Sequence, residues 1–193
     1  INTLAYTIYG SVAIIDNNIT ITDTDDIELS GGLVTISSGF TTGDVLTLNS
    51  QNGISGTFDS SSGVLTISGT ATLAHYQTAL RSITYNSTSE DPTITAGSRT
   101  VSWTVTDANS DGAGAATSSG VTSTINLTAL SDAPVVTAGA TLAYTENASA
   151  EIIDNTITIS DVDDIEMSGS TVTISSGFTT GDFLTLNSQN GIS

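Results

Sequence analysis

Asp161-Val162-Asp163-Asp164-Ile165-Glu166 stands 138 residues after Asp23-Thr24-Asp25-Asp26-Ile27-Glu28, and the distance between these two acidic stretches decides the fold class. Working outward from them, Thr3 to Ser55 matches Thr141 to Ser193 without a gap, with 41 of 53 residues identical. A period of that length is a whole domain, whereas a solenoid coil takes tens of residues or fewer. The alternating threonines of Thr20-Ile21-Thr22 and Thr156-Ile157-Thr158 are therefore read as solvent faces of strands and not as a flat ice-binding ladder. A calcium-binding β-roll is also excluded, because Gly31-Gly32 is followed by Leu33-Val34 and not by Gly-x-Asp. The chain divides into a first repeat, 1–131, expected to lack its N-terminal linker, and the first part of a second, 132–193.

Within the first repeat nine segments alternate apolar with polar residues or run through β-branched ones: Leu4–Thr7, Ile14–Thr22, Leu33–Ser37, Val45–Asn49, Ile54–Asp59, Val64–Ser68, Ser82–Asn86, Thr100–Asp107 and Ser123–Leu130. Turn residues such as Thr42-Gly43-Asp44, Asn52-Gly53 and Ser62-Gly63 separate them closely, as antiparallel sheets require. About a third of the chain is Ser or Thr, which favours short strands over helices. One 3.6-residue pattern interrupts: Leu73, Tyr76, Ala79 and Leu80 after a capping Thr72 predict a short helix crossing between two sheets. The expected fold is an all-β, immunoglobulin-like antiparallel sandwich with one short helix per repeat.

Twenty acidic residues face two arginines and no lysine, for a formal charge of −18. Such a chain has too few cationic side chains to neutralise phosphates, so nucleic acid is not expected as a partner. No apolar run approaches the length of a membrane span, so no direct membrane insertion is expected from this segment. Four carboxylates in six positions, with almost no cationic side chain to offset them, call for a bound cation. Calcium fits, being a hard ion that takes six to eight oxygens in flexible geometry.

Other candidates have plainer readings. Trp103, between Val101 and Val105 on one strand face, is core. His75 has no cysteine or second histidine to complete a zinc site or a nucleophile–base pair, and is read as surface. Asp107-Ala108-Asn109-Ser110-Asp111-Gly112 matches the first half of an EF-hand loop, but the twelfth position is Ser118, so an Asp/Asn/Gly-rich turn accounts for it equally well. Pro134, in Ser131-Asp132-Ala133-Pro134, ends one strand by withholding an N–H and marks a short linker. In a sandwich of this type the loops at 23–32 and 107–114 return to one end, and the equivalent loop at 161–170 is expected to face the linker carrying Asp132.

The chain as a whole resembles the bacterial cadherin-like repeats of giant surface adhesins and extracellular stalk proteins. The residues carrying the resemblance are Ser131-Asp132-Ala133-Pro134, Leu142-Ala143-Tyr144-Thr145-Glu146-Asn147, Asp161-Val162-Asp163-Asp164, Gly56-Thr57-Phe58-Asp59 with Gly63-Val64-Leu65-Thr66, Tyr76-Gln77-Thr78-Ala79-Leu80-Arg81-Ser82 and Val105-Thr106-Asp107. The resemblance implies a calcium-rigidified spacer whose partners are neighbouring repeats of the same chain. It makes Asp132 the linker ligand, Asp161 and Asp163 (in the loop that Asp164 completes) the ligands of the following domain, Asp107 with Asp23 and Asp25 the ligands of the first repeat, and Glu146 a ligand at the far end of the second. Ile8 stands where Glu146 does, which implies a weaker junction there unless Glu90 and Asp91 substitute.

Three function classes follow: a non-enzymatic structural repeat of a cell-surface or secreted adhesin; a subunit of a self-assembling extracellular filament or sheath, associating through sheet edges; and an accessory carbohydrate-binding or catalytic module using paired carboxylates. The third lacks an aromatic platform, and its acids cluster at a linker.

Overall fold

The computed structural model describes residues 2–192, and contacts divide the chain into two units, Ile1–Asp163 and Asp164–Ser193. In the first unit all nine predicted strand segments contain or overlap a strand: β1 (Thr3–Thr7), β2 (Ala13–Ile14), β3 (Glu28–Ser38), β4 (Asp44–Thr47), β5 (Ser55–Asp59), β6 (Val64–Thr72), β7 (Thr84–Ser87), β8 (Ser98–Asp107) and β9 (Val121–Thr128). A six-stranded sheet runs β1-β9-β8-β3-β6-β5, and a three-stranded sheet runs β2-β7-β4. All the pairings are antiparallel except β1 with β9, which is parallel.

The alternation read from the sequence is the alternation of burial. Val34, Ile36, Leu65, Ile67, Val101, Trp103 and Ile125 of the large sheet pack with Ile15, Leu46, Ile83 and Tyr85 in one core cluster. Each such side chain contributes roughly 1.5–3 kcal/mol by leaving water. Trp103 is core, as expected, and its indole N–H donates to Ser123 Oγ at 3.1 Å. The ring of Tyr6 meets that of Tyr85 edge-on, with centroids 5.0 Å apart.

The predicted helix is α1 (Leu73–Arg81). Thr72 caps it by accepting from His75 N–H, and Tyr76, Ala79 and Leu80 form its buried face. His75 is exposed, as read. On the other side of the helix, Gln77 Oε1 accepts from Ile21 N–H at 3.1 Å and Arg81 Nε donates to the Ile19 carbonyl at 2.7 Å. These two contacts hold the chain leading into the first acidic loop. They also explain why the long strand expected over 14–22 is regular only at β2: one edge of residues 19–21 bonds side chains in place of a neighbouring strand.

A group the sequence reading passed over sits between the sheets. Arg99 and Asp44 are both fully buried and paired at 2.7 Å. Tyr85 Oη donates to Asp44 at 2.6 Å, and the Arg99 guanidinium also reaches the Ala96 and Pro92 carbonyls and Thr41 Oγ1. Burial, with the Asp44 carboxylate beside it, pushes the Tyr85 hydroxyl well above its ordinary range.

The β5–β6 turn is organised by Asp59, which accepts from the hydroxyls of Ser61 and Ser62, both at 2.7 Å, and from Ser61 N–H at 2.8 Å. These donors lower its pKa from 3.8 to about 2. A carboxyl depressed in the folded state stabilises the fold above its unfolded value of 3.8 and loses that effect as pH falls towards 2. Carbon-detected NMR titration is expected to place the Asp59 midpoint near pH 2, and Ser61→Ala to move it upward; an ordinary midpoint in the wild type would mean the turn is not formed in solution.

After β9 the chain makes β10 (Val135–Thr137), which pairs antiparallel with β11 (Thr158–Ser160) through Val135 to Ser160, Val136 to Ile159 and Thr137 to Thr158. In the second unit, Thr179 N–H donates to Asp182 Oδ2 at 2.8 Å, repeating the bond from Thr41 to Asp44 at 2.9 Å. Phe183 and Ile192 of that unit are exposed.

Candidate metal centre

The first acidic loop and the loop after β8 meet at one end of the sandwich, as the topology predicted, and most of their carboxylate oxygens are already engaged. Asp23 Oδ1 accepts from the N–H groups of Asp25 and Asp26, both at 3.3 Å. Asp107 accepts from Asn109 N–H at 3.0 Å and Ala116 N–H at 2.7 Å. Asn109 and Asp111 accept from Gly114 and Ala113, which makes this segment the polar turn that was one reading of the partial EF-hand match.

Asp26, which the sequence reading left out of the site, does most to fasten the two loops. It is buried, and its Oδ1 accepts from both the N–H and the hydroxyl of Ser110 and from Asp111 N–H at 3.3 Å. Nothing local distinguishes Asp26 from Asp25; only the approach of Ser110, 84 positions away, does so. Asp25 stays exposed, and the Asp23 carboxyl, followed by its own desolvation and the charges of Asp23 and Asp111, pushes its pKa up. Hydrogen bonds led by Asp26 N–H pull Asp23 down.

The second acidic loop has a different arrangement. Asp161, Asp163 and Asp164 each offer a carboxylate oxygen within 4.8 Å of the others, and they are the group of three or more such side chains found among the described residues. Oxygens bound to one calcium at roughly 2.3–2.6 Å lie no more than about 5 Å apart, so the spacing fits that ion. Asp161 Oδ1 accepts from Asp163 N–H at 3.2 Å. Oδ1 of Asp163 is buried without a hydrogen-bond donor among the described residues. The neighbouring Asp161 carboxyl, which can share only a proton or a cation with it, pushes the Asp163 pKa up. In the first repeat the equivalent residue, Asp26, is instead engaged by Ser110.

The linker reaches this loop through its backbone, Asp132 N–H donating to Asp163 Oδ2 at 3.1 Å; the Asp132 carboxylate is not one of the group of three. Glu146 is exposed in a turn, outside the group. Ile8, at the equivalent place in the first repeat, is only 2% exposed, so a carboxylate there would be buried in the core. Asp91 accepts from the N–H and hydroxyl of Thr93.

No helix among the described residues is long and apolar enough to cross a membrane. No family model matches the chain, and no solved structure matches it. Over 86 residues the chain is 40% identical to Halomucin of Haloquadratum walsbyi, a match that covers 42% of this chain and 1% of that protein. The chain therefore spans about a hundredth of the length of the curated relative it matches.

Proposed function

We propose that this chain is a stretch of tandem β-sandwich repeats from an extracellular or cell-surface structural protein, in which calcium at the acidic loops stiffens the junctions between neighbouring repeats. The observation that carries the reading is the bond from Asp132 N–H to Asp163 beside three converging carboxylates, since an ion there would join linker and loop. The partial match to Halomucin, whose name marks it as mucin-like, supports a secreted or cell-surface structural role. The cadherin-like resemblance supports the same role. The repeats work as spacers, projecting some other region of the protein.

Calorimetric titration tests it. Calcium is expected to bind with a dissociation constant of about 10⁻⁴ to 10⁻³ M, the range of extracellular modules, and Asp161→Asn/Asp163→Asn to abolish that heat. Small-angle scattering of the same chain should give a longer maximum dimension in calcium than in chelator. No calcium heat in the wild type, or an unchanged heat in the double variant, would reduce the loop to a solvated turn.

A further inference from the structure

We infer that Asn126 is the attachment site of an N-linked oligosaccharide, which lies on the uncharged outer face of the six-stranded sheet. Four Asn-x-Ser/Thr sequences occur, at Asn18, Asn86, Asn126 and Asn147. In a chain so rich in Ser and Thr the motif alone carries little, but the fold sorts the four. The inference rests on the extracellular placement proposed above, because glycans of this kind belong to secreted and surface proteins.

At Asn86 both side chains of the motif are engaged. Asn86 Oδ1 accepts from Tyr6 Oη at 2.8 Å and the Thr88 hydroxyl donates to the Gly43 carbonyl at 3.3 Å, with Ser87 buried between them. Asn18 and Asn147 are exposed, in segments outside the strands. Neither is kept when the sequence repeats: Thr156 replaces Asn18, and Tyr9 stands where Asn147 does.

Asn126 is placed differently. It lies on β9, where side chains alternate between faces, so Leu127 is buried while Asn126 and Thr128 both point outward and are exposed. Neither has a side-chain hydrogen bond among the described residues. A transferase can therefore reach the amide and the hydroxyl of the motif from one side, with the strand in place.

The surface around Asn126 suits a sugar. Ala5 of β1 and Ser98 of β8 flank it, and Thr3, Thr124 and Thr100 form the next row across the same three strands. All five are small and none is charged, in a chain with 20 acidic residues. The side-chain hydroxyls of Ser98, Thr3, Thr124 and Thr100 have no partner among the described residues, which leaves them to donate to and accept from a sugar. Attachment joins Asn126 Nδ2 to the anomeric carbon of a lipid-linked oligosaccharide phosphate. The carbon–oxygen bond to phosphate breaks, the phosphate leaves with the electron pair, and the amide gives one proton to solvent.

The test is fractionation of the source cells followed by glycopeptide mass spectrometry of the native protein. The protein is expected in the surface or medium fraction, with a glycan on Asn126 and a bare Asn86. Thr128→Val, which leaves the acceptor in place, is expected to lose that glycan, and Thr128→Ser to keep it; Trp103 fluorescence reports that both variants are folded. A surface protein with a bare Asn126, with Asn86 occupied as fully as Asn126, or with sugar on the threonines of this face in place of Asn126 overturns the inference, as does a glycan that survives Thr128→Val. Recovery of the protein from the cell interior alone overturns the extracellular reading, and the inference with it.

Discussion

Replacing Arg99 with alanine is expected to lower the unfolding free energy by about 3–5 kcal/mol, the usual cost of breaking a buried ion pair. That is a large share of the roughly 5–15 kcal/mol that keeps a domain folded. Without the guanidinium, the fully buried Asp44 keeps only Tyr85 Oη and Thr41 as partners, and the Ala96 and Pro92 carbonyls lose a donor. The price is set by the stranded charge more than by the lost attraction, so Asp44→Ala/Arg99→Ala should cost less than the sum of the single changes. Urea denaturation followed by Trp103 fluorescence measures all three. A loss below about 1 kcal/mol for Arg99→Ala, the size of an exposed ion pair, would mean that water reaches the pair in solution.

Tyr76→Ala is the second large effect, at about 3–5 kcal/mol as for other buried aromatics cut to alanine. Nine residues are too few for a helix to persist alone in water, so α1 exists because its buried face is docked. Tyr76 anchors that face with a fully buried ring and a hydrogen bond to the Gly69 carbonyl at 2.6 Å. Undocking α1 would also withdraw Gln77 and Arg81 from residues 19–21. Hydrogen exchange should therefore show the Ile21 amide losing protection together with the helix amides. Retained protection at Ile21 would show that residues 19–21 are held without the helix.

How much of this was legible in advance followed the range of the interaction concerned. Turns are local, and the two repeats make the same ones: Gly39 and Gly177 have φ of +77° and +75°, Gly43 and Gly181 +103° and +111°, and Asn52 and Asn190 +52° and +51°. The nine strands and α1 could be read because two-residue and 3.6-residue patterns are written along a single segment. The roles of Arg99 and Asp26 could not be read, since each depends on a partner brought in from 55 and 84 positions away. The acidic loops were found by their composition. Ser110 engages Asp26 in the loop at 23–26, whereas three carboxylates converge in the loop at 161–164, and nothing within either loop announces the difference.

Both cationic side chains of the protein are spent on its own interior framework: Arg99 is buried against Asp44, and Arg81, half-buried, is tied to the Ile19 carbonyl. The molecule accordingly presents its surroundings with a polyanionic coat in which positive charge comes almost wholly from dissolved ions. The reach of that coat is fixed by the medium, about 30 Å at 0.01 M ionic strength and about 3 Å at 1 M. In fresh water such chains would hold each other apart over distances comparable with their own width, whereas in brine they could come nearly into contact before sensing one another.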